Sequence, residues 1–329
     1  QVILLKFGTR MSAEAQTIDQ QFADFEKFAE AVRCYDVVCR QLGPGKFHAS
    51  ATQVVTENAL LSGLSANRGL EAAGSPPQGM LTFGMPTVNC QPFAWRNRKT
   101  DAISVQFYRP QTELLVNTHG NFDAIDLSLT EQHLLTVAET LDIKEPEKLI
   151  CQGKMVNCAE PRMASLRRTS ATLVNLAFAR LLPGNEARIS HLMEFILPAL
   201  LLRTLEEEHG SAQHPPRKSL RAFLAAKAYI NHNIESPVSI SDLCNLTNTS
   251  DRTLQKIFLQ ITGIGPKAYI RTVRLNRIHT DLLNAKPGTI TVTDAANRCG
   301  FWHMGQFAAD YRLLFGELPS ETLRKINPA

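Results

Sequence analysis

The chain has 329 residues, of which 44% are hydrophobic, and its 35 Lys and Arg against 31 Asp and Glu give a net charge of +4. This composition excludes a disordered or collagen-like chain, and the length allows two domains that each bury a core. No apolar run approaches the roughly 20 residues of a membrane helix, so we expect a cytoplasmic protein that does not bind a membrane.

Residues 1–14 are predicted to form a tail that precedes the first domain. The chain begins with Gln1, and its apolar run at residues 2–5 is too short for a signal peptide. Met11 is a candidate start, in which case residues 1–10 derive from an expression vector. The first domain is then predicted to span residues 15–208.

Short runs of β-forming residues, separated by turn residues, occupy the chain from residue 46 to residue 130. They predict strands at residues 48–55, 60–64, 80–84, 102–108, 113–117 and 122–127. Many short strands with frequent turns are typical of an antiparallel sandwich or barrel. The first domain is therefore predicted to be an antiparallel β sandwich with helices, in an α+β protein.

An aromatic side chain beside two arginines marks a candidate effector site. Trp95 is followed by Arg96 and Arg98, and such a group could hold an anionic or amphipathic small molecule. The alternative, which is commoner, is an exposed loop that carries a core tryptophan.

Two helices are predicted at residues 161–182 and 185–207. In the second helix, apolar residues recur at spacings of four, three and four: Ile189, Met193, Ile196 and Leu200. This stripe could form a homodimer interface, or it could pack against the domain's own sheet. Pro198 is expected to kink the helix.

A polar, proline-containing linker at residues 209–216 is predicted to separate the two domains. The second domain, residues 217–329, carries 15 Lys and Arg against 8 Asp and Glu, a net charge of +7. The other 216 residues carry a net charge of −3. A basic C-terminal domain is suited to the phosphate backbone of DNA.

The second domain contains two similar segments, at residues 250–277 and 293–316. The first unit begins before its segment, at Val238: Ser239 is predicted to cap one short helix and Ser250 a second, which Gly263 ends. Four apolar residues of the second helix are predicted to face inward: Leu254, Ile257, Phe258 and Ile261. Its outer face then offers Arg252, Gln255 and Lys256 to the major groove of DNA, although a merely solvated face is the alternative.

The second unit repeats this pattern with a turn at Gly300 and a helix from residue 302 to 315, which Gly316 ends. Its predicted core stripe is Phe307, Tyr311, Leu314 and Phe315. A long helix at residues 266–284 lies between the units, and its Arg271, Arg274 and Arg277 share one stripe. These arginines could meet phosphates, or they could form local ion pairs on a solvated face.

Several motifs between residues 219 and 325 resemble those of the AraC-type (AraC/XylS) transcription regulators: residues 250–258, 263–266, 274–275, 294–296, 299–301, Phe307, Tyr311, 315–316 and 319–320. The resemblance implies a seven-helix domain with two helix-turn-helix motifs that enter adjacent major grooves. It also implies a cupin-like effector domain in the N-terminal part and activation through contact with RNA polymerase. Carried over by position, the DNA-binding residues are Arg252, Thr253, Gln255, Lys256, Arg271, Arg274, His303, Met304, Gln306 and Ala309.

The second recognition helix departs from the commoner family pattern, because Met304, Gly305, Ala308 and Ala309 stand where polar or basic side chains are frequent. We therefore expect the first unit to specify the DNA site and the second mainly to position the protein. Within the family, residues 300–308 and 44–48 are similar to the ethanolamine-utilisation operon regulator and its relatives.

Metal and catalytic motifs find little support in the sequence. Its seven cysteines form no CxxC pair, and it contains no Walker loop, nucleophile elbow or HExxH stretch, so no cofactor is predicted. The predicted function is a sequence-specific transcription regulator, an activator controlled by a small-molecule effector. The alternatives are an enzyme with a cupin-like domain and an architectural DNA binder indifferent to sequence.

Overall fold

The computed structural model describes residues 16–32, 34–95, 98–110, 113–150, 155–178, 186–206, 217–286 and 288–325. In these ranges the chain has an α+β fold, with N-terminal antiparallel sheets followed by a C-terminal helical domain. The predicted tail at residues 1–14, the predicted linker at residues 209–216 and Arg96 lie outside the described residues.

The described part of the N-terminal domain contains two antiparallel sheets. The strands are β1 (Gln16–Phe22), β2 (Asp36–Gln41), β3 (Ala49–Val55), β4 (Ala59–Ala66), β5 (Leu70–Ser75), β6 (Met80–Pro86), β7 (Ala94–Trp95), β8 (Arg98–Lys99), β9 (Ser104–Tyr108), β10 (Leu114–Asn117), β11 (Phe122–Thr130) and β12 (Met155–Asn157). The large sheet has the order β1-β3-β4-β11-β6-β9-β12 and the small sheet the order β2-β5-β10-β7-β8. The six predicted strands are confirmed as β3, β4, β6, β9, β10 and β11, whereas the sequence analysis missed β1, β2, β5 and the short strands β7, β8 and β12.

Helices flank the sheets, and all regular secondary structure in the described part of the C-terminal domain is helical. Those of the N-terminal domain are α1 (Phe25–Ala31), α2 (Glu131–Thr140), α3 (Pro146–Ile150), α4 (Glu160–Phe178), α5 (Glu186–His191) and α6 (Leu197–Glu206). Those of the C-terminal domain are α7 (Arg217–His232), α8 (Ile240–Thr247), α9 (Asp251–Thr262), α10 (Pro266–Leu283), α11 (Val292–Arg298), α12 (Met304–Phe315) and α13 (Pro319–Arg324).

The two faces of the large sheet differ in polarity because side chains alternate along each strand. On β11, Ile125 and Leu127 pack under α2, α4 and α6 in one apolar core. Asp126, between them, faces the small sheet and bonds to Tyr35 beside β2. Other buried polar side chains on this inner face are Gln53, Ser62, Thr82, Gln106 and Ser128. The space between the sheets therefore has a polar floor.

Pro198 bends the helix predicted at residues 185–207. Because proline has no N–H group, the carbonyl of Glu194 loses its helical partner, and His133 Nε2 donates to that oxygen at 2.6 Å. A π-helical segment at Leu192–Ile196 leads into α6. The stripe on this helix buries Met193 in the core of its own domain, so the structure supports the second of the two predicted alternatives.

The outer face of the small sheet packs against the C-terminal domain. Leu115 of β10 and Leu42 share an apolar core with residues of α7, α9 and α10. Phe25 of α1 stacks near the rings of His279 and Phe315, at centroid distances of 5.3 and 6.2 Å. The N-terminal domain therefore contacts the first unit through one core and the second unit through another.

Buried polar groups cross the same interface. Glu71 of β5 is only 1% exposed, and it accepts a hydrogen bond from Tyr269 Oη at 2.8 Å and lies 3.2 Å from Lys227 Nζ. The backbone of Gln41 donates to Asn276 Oδ1 and accepts from Asn276 Nδ2, both at 2.9 Å. Such paired bonds fix the register of α10 against β2, because each buried group that lost its partner would keep its desolvation cost.

We predict that Glu71→Gln destabilises the protein by about 3 kcal/mol, because Lys227 would remain buried without a counter-charge. Urea unfolding of the full chain measures this change. The control is Lys148→Gln, which removes an ion pair with Glu145 whose side chains are 73% and 64% exposed, and which should cost less than about 1 kcal/mol. Equal effects of the two substitutions would contradict the prediction.

Candidate nucleic-acid interface and interior cavity

The first helix pair, α8 and α9, has the caps that the sequence predicts. Ser239 Oγ accepts from the backbone of Asp242, whose carboxylate accepts from the backbone of Ser239 in return. Ser250 Oγ accepts from the Thr253 N–H at the start of α9. Gly263 ends α9 with a φ of +76°, in the left-handed region that favours glycine.

The predicted division of α9 into an inner and an outer face is confirmed. Its buried residues include Leu254, Ile257, Phe258 and Ile261. The outer face exposes the predicted DNA-binding side chains Arg252, Thr253, Gln255 and Lys256. The N-terminal half of this face thus offers guanidinium, amide and ammonium donors to an approaching polyanion.

The second helix pair, α11 and α12, is built in the same way. Thr291 caps α11 through a reciprocal arrangement with Asp294, a cap that the sequence analysis did not identify. Helix α12 begins at Met304 rather than at the predicted residue 302, because the backbone of His303 is extended. Gly316 ends the helix at a φ of +74°, as predicted. The predicted core stripe of Phe307, Tyr311, Leu314 and Phe315 is buried.

The outer face of α12 is less polar than that of α9. His303, Gln306 and Ala309 are exposed, whereas Met304 is half-buried. Gln306 Nε2 donates to Asp310 Oδ1 at 2.9 Å. One of the two amide hydrogens of Gln306 is therefore engaged within the helix.

The three arginines of α10 do not share one role. Arg271 is 59% exposed and lies 3.4 Å from Asp310. Arg274 donates to the carbonyl oxygens of Ile234 and Ser236, and so ties α10 to the turn before α8. Arg277 pairs with Asp281 on the same helix at 3.0 Å. Of the three, only Arg271 is placed beside the second unit's outward-facing helix.

A small cavity of about 60 Å³ lies between the two sheets. Aromatic side chains form much of its wall: Phe28, Tyr35, Phe93, Tyr108 and Phe122. The polar groups on its lining include those of Asp126 and Gln106, and Gln106 as a whole is 2% exposed. Its apolar wall with a few polar groups resembles the lining of a small-molecule site, but its volume is well below the roughly 300–1,000 Å³ of such sites, so a ligand would have to move the two sheets apart.

Asp126 is the acidic residue in the lining of this cavity, and its pKa is shifted. Burial raises its pKa to about 7, although the hydrogen bond from Tyr35 Oη at 3.2 Å acts in the opposite direction. The sequence carried a signal for this residue, since β11 places an acidic side chain between two apolar ones. Sequence analysis missed it because the second sheet that buries the side chain was only partly predicted.

Of the predicted effector residues, Trp95 and Arg98 are described by the structure, whereas Arg96 lies outside the described residues. Trp95 is 2% exposed and meets Tyr108 edge to face at 5.8 Å. Arg98 donates to the Met155 carbonyl oxygen at 3.1 Å. Neither lines the cavity; Trp95 is a core residue, and the effector role of this group stays a prediction.

Within the described ranges, no cluster of three or more His, Cys, Asp or Glu side chains has the arrangement to hold a metal ion. None of the helices described above combines the length and apolar character needed to cross a membrane.

Residues 243–325 match the family model described as a helix-turn-helix domain. The chain is 31% identical over 127 residues to a probable thc operon regulatory protein of Rhodococcus erythropolis, covering 38% of each chain. It is 39% identical over 104 residues to XylDLEGF operon transcriptional activator 3 of Pseudomonas putida, covering 32% of this chain and 31% of that protein. The match thus spans about a third of these relatives' length.

Two solved structures are similar in part. One is a probable AraC family transcriptional regulator from Rhodopseudomonas palustris, with 42% identity and a TM-score of 0.31, covering 33% of this chain and 99% of that one. The other is ToxT from Vibrio cholerae, with 10% identity and a TM-score of 0.32, covering 94% of this chain and 98% of that one.

We predict that Asp126 makes stability fall as pH rises. Its folded pKa of about 7 lies above the ordinary 3.8, so the folded state holds the proton more tightly between these values. The stabilising contribution is complete below about pH 4 and is lost towards pH 7, at up to about 1.4 kcal/mol per pH unit.

Urea unfolding between pH 5 and pH 8 measures this slope in the parent protein and in Asp126→Asn, which should have a flatter profile. The control is Asp142→Asn at an exposed position whose backbone φ is +54°, a conformation that asparagine tolerates. An Asp126→Asn profile as steep as the parent profile would refute the assignment.

Proposed function

We propose that this chain is a transcription regulator of the AraC/XylS family, and that it is a sequence-specific activator controlled by a small molecule. The observation that carries this proposal is that the C-terminal domain contains two helix pairs of the same construction. Each helix pair ends its second helix at a left-handed glycine, buries a four-residue stripe and leaves the start of that helix exposed.

In this proposal α8–α9 and α11–α12 are two helix-turn-helix motifs, and α9 and α12 enter adjacent major grooves. Base contacts of the first unit come from Arg252, Thr253, Gln255 and Lys256. Those of the second come from His303, Met304, Gln306 and Ala309. Arg271 would meet the phosphate backbone, whereas the bonds of Arg274 to two carbonyl groups favour a structural role.

The N-terminal sandwich, which we interpret as a cupin-like barrel, would bind the effector in the cavity above Asp126. Individual strands connect this cavity to the DNA-binding domain. On β10, Leu114 and Val116 line the cavity, and Leu115 between them packs against the helical domain. An effector that binds one arrangement of these strands more tightly would shift the balance between domain arrangements.

The proposal has two further parts. A homodimer could use the helix at residues 185–207, on which Phe195 remains 36% exposed. Contact with RNA polymerase is what the family resemblance implies. The narrower likeness to the ethanolamine-utilisation operon regulator stays a prediction.

Selection from sheared genomic DNA tests the function. The full chain is incubated with the DNA at near-physiological salt, and retained fragments are sequenced. Enrichment of a few promoters, with a motif that spans two adjacent major grooves, supports the proposal. Uniform retention would overturn it and favour an architectural binder.

We predict that Gln255→Ala costs roughly 1–3 kcal/mol at the selected site and relaxes specificity at one base pair. The measurement is the dissociation constant on the selected site and on site variants. Lys144→Ala, an exposed lysine in the N-terminal domain, is the matched control and should change neither value. An equal loss on random DNA would exclude base reading by Gln255.

Arg271→Ala should instead weaken binding to all sequences by a similar factor, because a phosphate contact carries no base information. The slope of log affinity against log salt concentration should decrease by about 1. Titrations at several salt concentrations measure it, and an unchanged slope would exclude a phosphate contact.

A further inference from the structure

The two outward-facing helices offer DNA different chemistry. On α9 the exposed N-terminal half carries charged and amide groups, as described above. Beside α12 the most exposed large hydrophobic side chain is Trp302, at 72%, and it adjoins His303 and the half-buried Met304, which packs partly on the core. Ala309, one turn beyond Gly305, is exposed as well.

We propose that the second unit reads sequence through the C5-methyl groups of thymine, with Trp302, Met304 and Ala309 as the contacting side chains. This inference rests on the proposed function and deepens it. In the major groove, thymine alone among the bases presents a methyl group, and apolar side chains are its usual protein contacts. The second unit then contributes specificity rather than positioning alone.

The polar side chains of this helix favour the same conclusion. The amide nitrogen of Gln306 already donates to Asp310, which in turn lies against Arg271. One amide hydrogen of Gln306 is thus engaged within the helix, and only its second hydrogen and its carbonyl oxygen remain for a base. Apart from His303 and Gln306, the side chains that are exposed or half-buried from residue 302 to residue 309 are apolar, so apolar contact is a further means by which this segment can read a base.

Gly305 is a second and independent observation. It lies in the first turn of α12, and a Cβ atom added there would meet nothing within 4 Å. Glycine in a helix costs about 1 kcal/mol relative to alanine, and the free protein offers no steric reason for it. Close approach of a partner to the backbone supplies that reason, since only glycine leaves room for it.

Charge favours DNA over an apolar protein partner as the occupant. Arg298 of α11 and Arg312 of α12 are both exposed, and the second domain carries a net charge of +7. In a major groove, the thymine methyl groups lie between two phosphate chains. Apolar side chains of the second unit could contact the methyl groups while Arg298 and Arg312 meet the phosphates.

The test uses two pools of randomised duplexes, one synthesised with thymidine and the other with deoxyuridine, which lacks only the methyl group. The full chain selects from both pools. We expect a motif for both half-sites in the thymidine pool and, in the deoxyuridine pool, loss of the thymine positions of the second half-site alone. Each methyl group removed from the selected site should weaken binding about fourfold.

An identical second half-site motif in both pools would overturn the inference while leaving the proposed function intact. The absence of any motif in the thymidine pool would instead refute the proposed function. The two failures are therefore distinguishable.

Variants give an independent measurement on the selected site. Trp302→Ala should bind the thymidine site several-fold more weakly and lose most of the difference between thymidine and deoxyuridine. The control is Leu313→Ala, which removes another exposed apolar side chain, 68% accessible, near the C-terminal end of α12, and which should retain that difference. Weaker binding by Trp302→Ala with an undiminished methyl effect would indicate a protein-contact or structural role and overturn the inference.

Gly305→Ala separates folding from binding. We expect the variant to unfold at a higher urea concentration than the parent, because alanine favours the helix, and yet to bind the selected site at least several-fold more weakly. Unchanged DNA affinity would show that the backbone does not approach the groove and would remove the support that Gly305 gives.

Tryptophan fluorescence reports the same contact without loss of function. The chain has two tryptophans, and Trp95 is buried in the sandwich at 2% exposure. The spectral change on binding the selected duplex should therefore come from Trp302 and disappear in Trp302→Phe. Persistence of the whole change in that variant would contradict burial of Trp302 against DNA.

Discussion

The carboxylate of Glu71 stands at the point where the two domains meet, and much of the architecture depends on its burial. It lies on the outer face of the small sheet, surrounded by Tyr269, Lys227 and Arg40. A buried charge of this kind is tolerated only with partners in place, and two of the three belong to the helical domain. Separation of the two domains would therefore remove two of the three partners of the Glu71 carboxylate.

Because the small sheet packs on the helical domain, a movement of its strands would also move the helices that contact it. Since side chains alternate along a strand, β5 and β10 each have one row of side chains at the cavity and one at the helical domain. Leu114 and Leu115 of β10, adjacent in sequence, belong to these different surroundings. In the proposed function, a ligand that displaced β10 would therefore also move Leu115 against α7, α9 and α10.

Sequence alone was most informative where local physical chemistry decides the structure. The caps at Ser239 and Ser250 and the stops at Gly263 and Gly316 depend on neighbouring residues only, and all were found in place. The exposed face of α9 followed from helical periodicity. In contrast, β1, β2 and β5 were missed, because their pairing partners lie elsewhere in the chain and their composition is mixed. The distinct fates of Arg271, Arg274 and Arg277 could not be read from their spacing, since packing around α10 differs along its length.

The sequence by itself determined the duplicated helix pairs, the basic charge of the second domain and the division of the chain into a β part and a helical part. These features depend on propensity, capping and periodicity, which act over a few residues. Only the tertiary structure decided that Trp95 is a core residue, that Asp126 faces a cavity and that Glu71 joins the domains. Each of these outcomes depends on which distant segments cover the side chain, and burial by a distant segment leaves no periodic trace in the sequence.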